Sequence, residues 1–76
     1  MKIEVLGMGC SSCNRLYRNV LEAVKSSRRE VQLEKVEDIK RIVSYGVLST
    51  PALVIDGVVK TAGKIPSAQE ILSWIR

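Results

Sequence analysis

The stretch Gly7-Met8-Gly9-Cys10-Ser11-Ser12-Cys13 holds both cysteines of the 76-residue chain. An apolar run, Ile3-Glu4-Val5-Leu6, leads into it, and a long segment of helical period follows. The pattern predicts a strand, a glycine-flexed turn and a helix that starts at or just after Cys10. Glycine suits such a turn because it accepts backbone angles that a Cβ forbids. Two residues between cysteines on the first helical turn bring the sulfurs close enough for a disulfide. The helix start leaves N–H groups unpaired and carries positive partial charge, which favours a thiolate at Cys10. A thiolate with a second thiol in reach is equipped for thiol–disulfide exchange. The same pair also suits a soft metal ion. Both readings stand at this point.

Working outward, residues 2–6 read as a strand buried on both faces. After Cys13, the positions Leu16, Tyr17, Val20, Leu21 and Val24 form an amphipathic stripe, with Arg15, Arg18, Asn19, Glu22 and Lys25 between them. That helix ends at Ser26-Ser27-Arg28-Arg29. Val31, Leu33 and Val36 among charged residues predict a half-exposed edge strand. A helix from Asp38 to Tyr45 follows, with Ile39, Ile42 and Val43 on one face and Gly46 at its C-terminal end. Pro51 precedes the continuous apolar strand Ala52-Leu53-Val54-Ile55, and Asp56-Gly57 is a two-residue hairpin signal before Val58–Thr61. Ser67-Ala68-Gln69-Glu70 has capping-box spacing and opens a last helix burying Ala68, Ile71, Leu72 and Ile75. Trp74 falls at the rim of that helix. The order β-α-β-α-β-β-α predicts an α/β fold: a four-stranded mixed sheet with helices on both faces. Right-handed crossovers predict that its first three strands are parallel, with the hairpin adding an antiparallel edge.

Length and composition narrow the function classes. At 76 residues the chain reads as one domain, 1–76, near the lower size for a self-sufficient core. No apolar run approaches membrane-spanning length, and strand-like sequence from Lys2 predicts that no signal peptide precedes the fold. Two cysteines in one motif argue against a secreted disulfide scaffold and for a cytoplasmic redox or metal motif. The net charge of +4 comes from scattered basic residues, and there are no Phe, one Trp and two Tyr, so nucleic-acid binding is not expected.

Cys10-Ser-Ser-Cys13 ahead of a helix, with Ser49-Thr50-Pro51 before an apolar strand, resembles the thioredoxin fold. The likeness is to small single-domain redox-active-disulfide proteins. It runs through Ile3–Gly7, Tyr45-Gly46-Val47, Ser49–Gly57 and Ala62–Ser67. The resemblance implies that Cys10 attacks and Cys13 resolves. It also implies that Pro51 is cis and lies against the cysteines, and that Thr50 offers its backbone to an extended substrate. It implies no cofactor beyond the Cys10–Cys13 disulfide. The implied partners are disulfide-containing proteins and a thioredoxin-reductase-like flavoenzyme or a ferredoxin-linked reductase, met by a monomer. Six residues before Cys10, where thioredoxins carry a buried aspartate, stands Glu4, the candidate proton acceptor for Cys13; the competing and preferred expectation is that Glu4 faces solvent. Ser11-Ser12 departs from the Gly-Pro of thioredoxins and the Pro-Tyr usual in glutaredoxins, so neither family's potential transfers, and glutathione-clasping features are not evident. Met8 is expected at an exposed apolar rim, Tyr17 and Tyr45 in packing, Arg15 and Arg18 in solvent.

The rival is a copper or zinc carrier, since Gly7-Met8-Gly9-Cys10-x-x-Cys13 is similar to the metal loop of small heavy-metal-binding domains. Their βαββαβ order ends in a strand, whereas this chain ends in a capped helix and carries Pro51. Exchange chemistry is therefore the expected function, with a metal carrier the main alternative and a redox-inert adaptor the third.

Overall fold

Among residues 1–8 and 11–75, which the computed structural model describes, the elements are β1 (Lys2–Leu6), α1 (Ser11–Ser27), β2 (Gln32–Val36), α2 (Ile39–Ser44), β3 (Ala52–Ile55), β4 (Val58–Ala62) and α3 (Ala68–Ile75). The strands form one sheet in the order β2-β1-β3-β4.

Alternation along β1 divides the core. Ile3 and Val5 face α1 and α3, packing with Leu16, Val20, Ala23, Leu53, Ile55, Ile71 and Ile75. Leu6 faces α2 and packs with Val36, Ile42, Val47, Ala52 and Val54. Each fully buried aliphatic side chain of this kind contributes about 1.5–3 kcal/mol. α1 buries Cys13, Leu16, Val20 and Ala23, so its inward line runs through Ala23 and leaves Leu21 of the expected stripe exposed. α2 is only six residues long and buries Ile42 alone. Ile39 and Val43, expected on the same buried face, are 59% and 64% exposed. A helix of fewer than two turns can turn one apolar position squarely onto a sheet; its neighbours on the stripe fall to either side.

The expectation of three parallel strands is overturned at β3. β1 and β2 are parallel, but β3 runs antiparallel to β1, with Leu6 opposite Ala52 and Ile3 opposite Ile55. A parallel return would need the connection to travel the length of the sheet. Six helical residues rise only about 9 Å, and the rest of residues 37–51 is loop. The chain therefore re-enters the sheet at the end where β2 left it. β3 and β4 form the hairpin expected at Asp56-Gly57, whose φ values of 49° and 83° fit a turn with two left-handed positions. Asp56 also ties the turn to the chain start: its N–H donates to the Lys2 carbonyl at 2.8 Å, and its Oδ1 accepts from the Lys2 N–H at 2.8 Å. Between β3 and β4 the register slips, Leu53 facing Thr61 and Val54 facing Val59. Lys60 is left as an extra, bulged residue. At α3, the Ser67 hydroxyl accepts from the Glu70 N–H at 3.2 Å, half of the expected capping box.

Candidate active site

The antiparallel direction of β3 builds the site. Because Ala52 pairs with Leu6, the residue before one and the residue after the other, Pro51 and Gly7, lie at the same end of the sheet. Parallel pairing would have carried Pro51 to the opposite end, beside Met1. Gly7 stays in line with the strands because its N–H donates to the Val36 carbonyl at 3.0 Å.

Cys13 stands on the first turn of α1 and is 2% exposed. Its Sγ fills the space where a side chain at position 7 would begin: a Cβ built on Gly7 would overlap that sulfur. Alternation from β1 explains the meeting, since position 7 looks to the α1 side as Val5 and Ile3 do. The glycine is required by this close approach and not by an unusual backbone angle. Cys10, the expected nucleophile, lies outside the described residues.

Pro51 is buried and its bond to Thr50 is cis. Its carbonyl accepts from the Gly63 N–H at 2.8 Å, and Gly63 presses on the Ser49 Cβ so closely that a methyl group at position 63 would meet it at 2.9 Å. The loop thus rests on the turn after β4. Leu48, Ser49 and Thr50 are exposed, and so is Met8 on the other side of the site.

Lys35 was not singled out in the sequence. Its Nζ donates to Asn14 Oδ1 at 3.1 Å and lies 5.2 Å from the centre of the Tyr17 ring. The strand residue thereby puts a cation beside the turn that bears Cys13. Only its alternation with the inward Val36 signalled that it points toward α1. Arg15 and Arg18 are exposed, as solvated helix charges.

Glu4 departs from the preferred expectation of a solvent-facing side chain, for it is 4% exposed. It lies on the α2 face, one residue out of phase with Val5, whereas Cys13 is borne by the helix on the other face. Its Oε1 accepts from the Tyr45 hydroxyl at 2.8 Å and its Oε2 from Arg41 Nη2 at 3.1 Å. Arg41 in turn forks onto Glu34, at 2.7 and 3.3 Å, and Lys2 approaches Glu34 at 3.5 Å. The Arg41 guanidinium holds the Glu34 carboxyl below its ordinary value, and Glu34 in turn raises Arg41. Hydrogen bonding to Glu4 raises the Tyr45 phenol.

A four-stranded mixed sheet in this order, a buried sulfur at the strand-to-helix turn and a cis-proline loop at the same sheet end together define a thioredoxin-like protein. Comparison with known proteins agrees. A thioredoxin-domain family model matches residues 1–76. A thioredoxin of Methanothermobacter thermautotrophicus is 37% identical over 71 residues, 93% of this chain and 92% of its own length. One from Methanocaldococcus jannaschii is 39% identical over 69 residues, covering 91% of this chain and 79% of its own. A probable thioredoxin of Methanothermobacter marburgensis is 32% identical across 99% of this chain and 92% of its own length. The chain belongs to the thioredoxin family and is a thiol–disulfide oxidoreductase. The metal-carrier alternative finds no support in these comparisons. Among the described residues, no helix is long and apolar enough to cross a membrane.

Proposed function

We propose that Cys10 and Cys13 are the redox pair and that the protein reduces disulfides of other proteins. The Cys10 thiolate attacks one sulfur of a substrate disulfide, breaking the S–S bond and expelling the other sulfur as a thiolate. Cys13, deprotonated in turn, attacks Cys10 within the mixed disulfide and releases the second substrate sulfur. Two electrons pass to the substrate and Cys10–Cys13 closes as a disulfide. A flavin-containing reductase of the thioredoxin-reductase type, or a ferredoxin-linked one, returns the two electrons.

The observation that carries this reading is the seat of Cys13: a buried sulfur packed on Gly7, at the sheet end where the Thr50–Pro51 loop also lies. Cys10 precedes a 17-residue helix in sequence, and the unpaired N–H groups at a helix start stabilise its thiolate. Thr50 is exposed and would offer its backbone to an extended substrate segment, as in strand addition. The protein works as a cytoplasmic monomer with no cofactor beyond its own disulfide.

Trapping tests it directly. Cys13→Ser should accumulate a mixed disulfide between Cys10 and a protein disulfide such as insulin's, seen as a reductant-sensitive adduct by mass. Cys10→Ser should form none. An adduct carried instead by Cys13 would reverse the assignment. The reduction potential then sets the direction of flow: a value near about −270 mV makes the protein a reductant, one near about −120 mV an oxidant.

A further inference from the structure

Glu4 is a carboxylate where an aliphatic side chain would serve the core better. It sits opposite Val54 and Glu34 in the sheet, on the face that otherwise packs Leu6, Val36, Ile42 and Val54. Burying a charge costs desolvation that its partners offset at best, so an ion pair in such a place is a poor source of stability. What it supplies is direction, because hydrogen bonds hold a partner at one distance and angle.

The partner held is telling. Tyr45 closes α2: its N–H donates to the Ile42 carbonyl at 3.2 Å, the Gly46 N–H donates to the Val43 carbonyl at 2.9 Å, and Gly46 turns the chain with a φ of 74°. Val47 is 8% exposed and is the last buried residue before the site; Leu48, Ser49 and Thr50 are then exposed until Pro51. On the far side the loop is pinned by the Gly63–Pro51 hydrogen bond. On the near side α2 offers one buried aliphatic residue, Ile42, and Arg41 and Tyr45 both reach back to Glu4.

Resting on the function proposed above, we infer that Glu4 is a positioning residue: through Tyr45 and Arg41 it fixes the near end of the loop that presents Thr50 and Pro51 to a substrate chain. Glu34 backs it by orienting Arg41 from the neighbouring strand. The network therefore acts on how a protein substrate docks and leaves the sulfur chemistry alone.

The experiment compares oxidised insulin, which needs the loop, with dithiobis(nitrobenzoate), a small disulfide that needs only the sulfurs. Tyr45→Phe keeps the ring and deletes the hydroxyl. It should raise KM for insulin by about threefold to tenfold, the net worth of one ordinary hydrogen bond. Its kcat, its rate with the small disulfide and its reduction potential should stay at wild-type values. Glu4→Leu should match it in KM, whereas Glu4→Gln, whose amide oxygen still accepts from Tyr45, should restore most of the insulin KM. Amide hydrogen exchange at Tyr45 and Gly46, whose N–H groups donate to the Ile42 and Val43 carbonyls, should quicken about tenfold in Tyr45→Phe, and this reading holds whether or not the wild type reduces insulin. An unchanged KM with unchanged exchange overturns the inference. So does a parallel loss with both disulfides, which marks general destabilisation. If Glu4→Gln slows resolution of the mixed disulfide with a shifted pH profile while Tyr45→Phe does not, Glu4 is the proton acceptor instead. A wild type that reduces neither disulfide defeats the proposed function, and the exchange data then decide the positioning role by themselves.

Discussion

At position 7 even a methyl group is too much, because the Cys13 sulfur already occupies its place. Gly7→Ala must push α1 away from β1 or expel the sulfur. Overpacking of this kind costs about 1–3 kcal/mol. A lowered melting temperature together with slowed exchange at both small and protein disulfides is the expected result; an unperturbed variant would mean the helix start yields freely. Glu34 makes a different kind of prediction. Arg41 depresses its folded-state value, so its contribution to stability is present above the unfolded carboxylate value of about 4. That contribution is lost as pH falls through the lower folded value. Melting curves from neutral to acid pH should fall more gently for Glu34→Gln than for the wild type, by a modest amount because the pair is half exposed. Tyr45 shifts the other way, and its phenol should ionise at higher pH than free tyrosine. Near-ultraviolet absorbance during an alkaline titration would show a late component that vanishes in Tyr45→Phe.

The elements differ in how firmly they are tied. α1 and α3 pack against one another and the sheet through Leu16, Val20, Ile71 and Ile75, whereas α2 depends on Ile42 and a polar clamp. Small cuts should therefore register differently. Ser67→Ala removes the hydroxyl that caps the Glu70 N–H and should lower stability by about 1 kcal/mol in a denaturant titration. Gly57→Ala puts a Cβ at a φ of 83° and should cost at least about 1 kcal/mol, read in the same way. Gly57→Ala should leave the reaction with a small disulfide unchanged, since the hairpin turn lies at the end of the sheet where Ile3 meets Ile55, opposite the end where Leu6 meets Ala52. These elements were legible in the sequence because period, caps and turn residues are local signals. α1, the hairpin and α3 announce themselves within ten or twenty residues. The inward line of α2 did not, since its Ile39, Ile42 and Val43 read as one stripe and only contact with the sheet chose among them.

Over the whole molecule, the direction of β3 is what local pattern could not supply. Ala52–Ile55 has the same apolar run in either orientation, and only the short reach of α2 sends it back antiparallel. The spacing of Cys10 and Cys13 and the pair Thr50-Pro51 suggested a candidate site, but the meeting of Gly7 and Pro51 at one end of the sheet depends on that orientation. The burial of Glu4, against the preferred expectation that it faces solvent, has a similar cause. Its burial makes sense only with Arg41 and Tyr45, which lie 37 and 41 residues away in sequence, and no pattern around residue 4 announces them.

The extra residue at Lys60 bears on how the molecules behave when crowded. An outermost strand that is flat and regular is a template onto which another chain can zip. Here β4 is bent by its odd residue and wears a lysine there, while the opposite border, β2, carries Glu34 and Lys35. Both margins thus discourage side-by-side growth into ribbons.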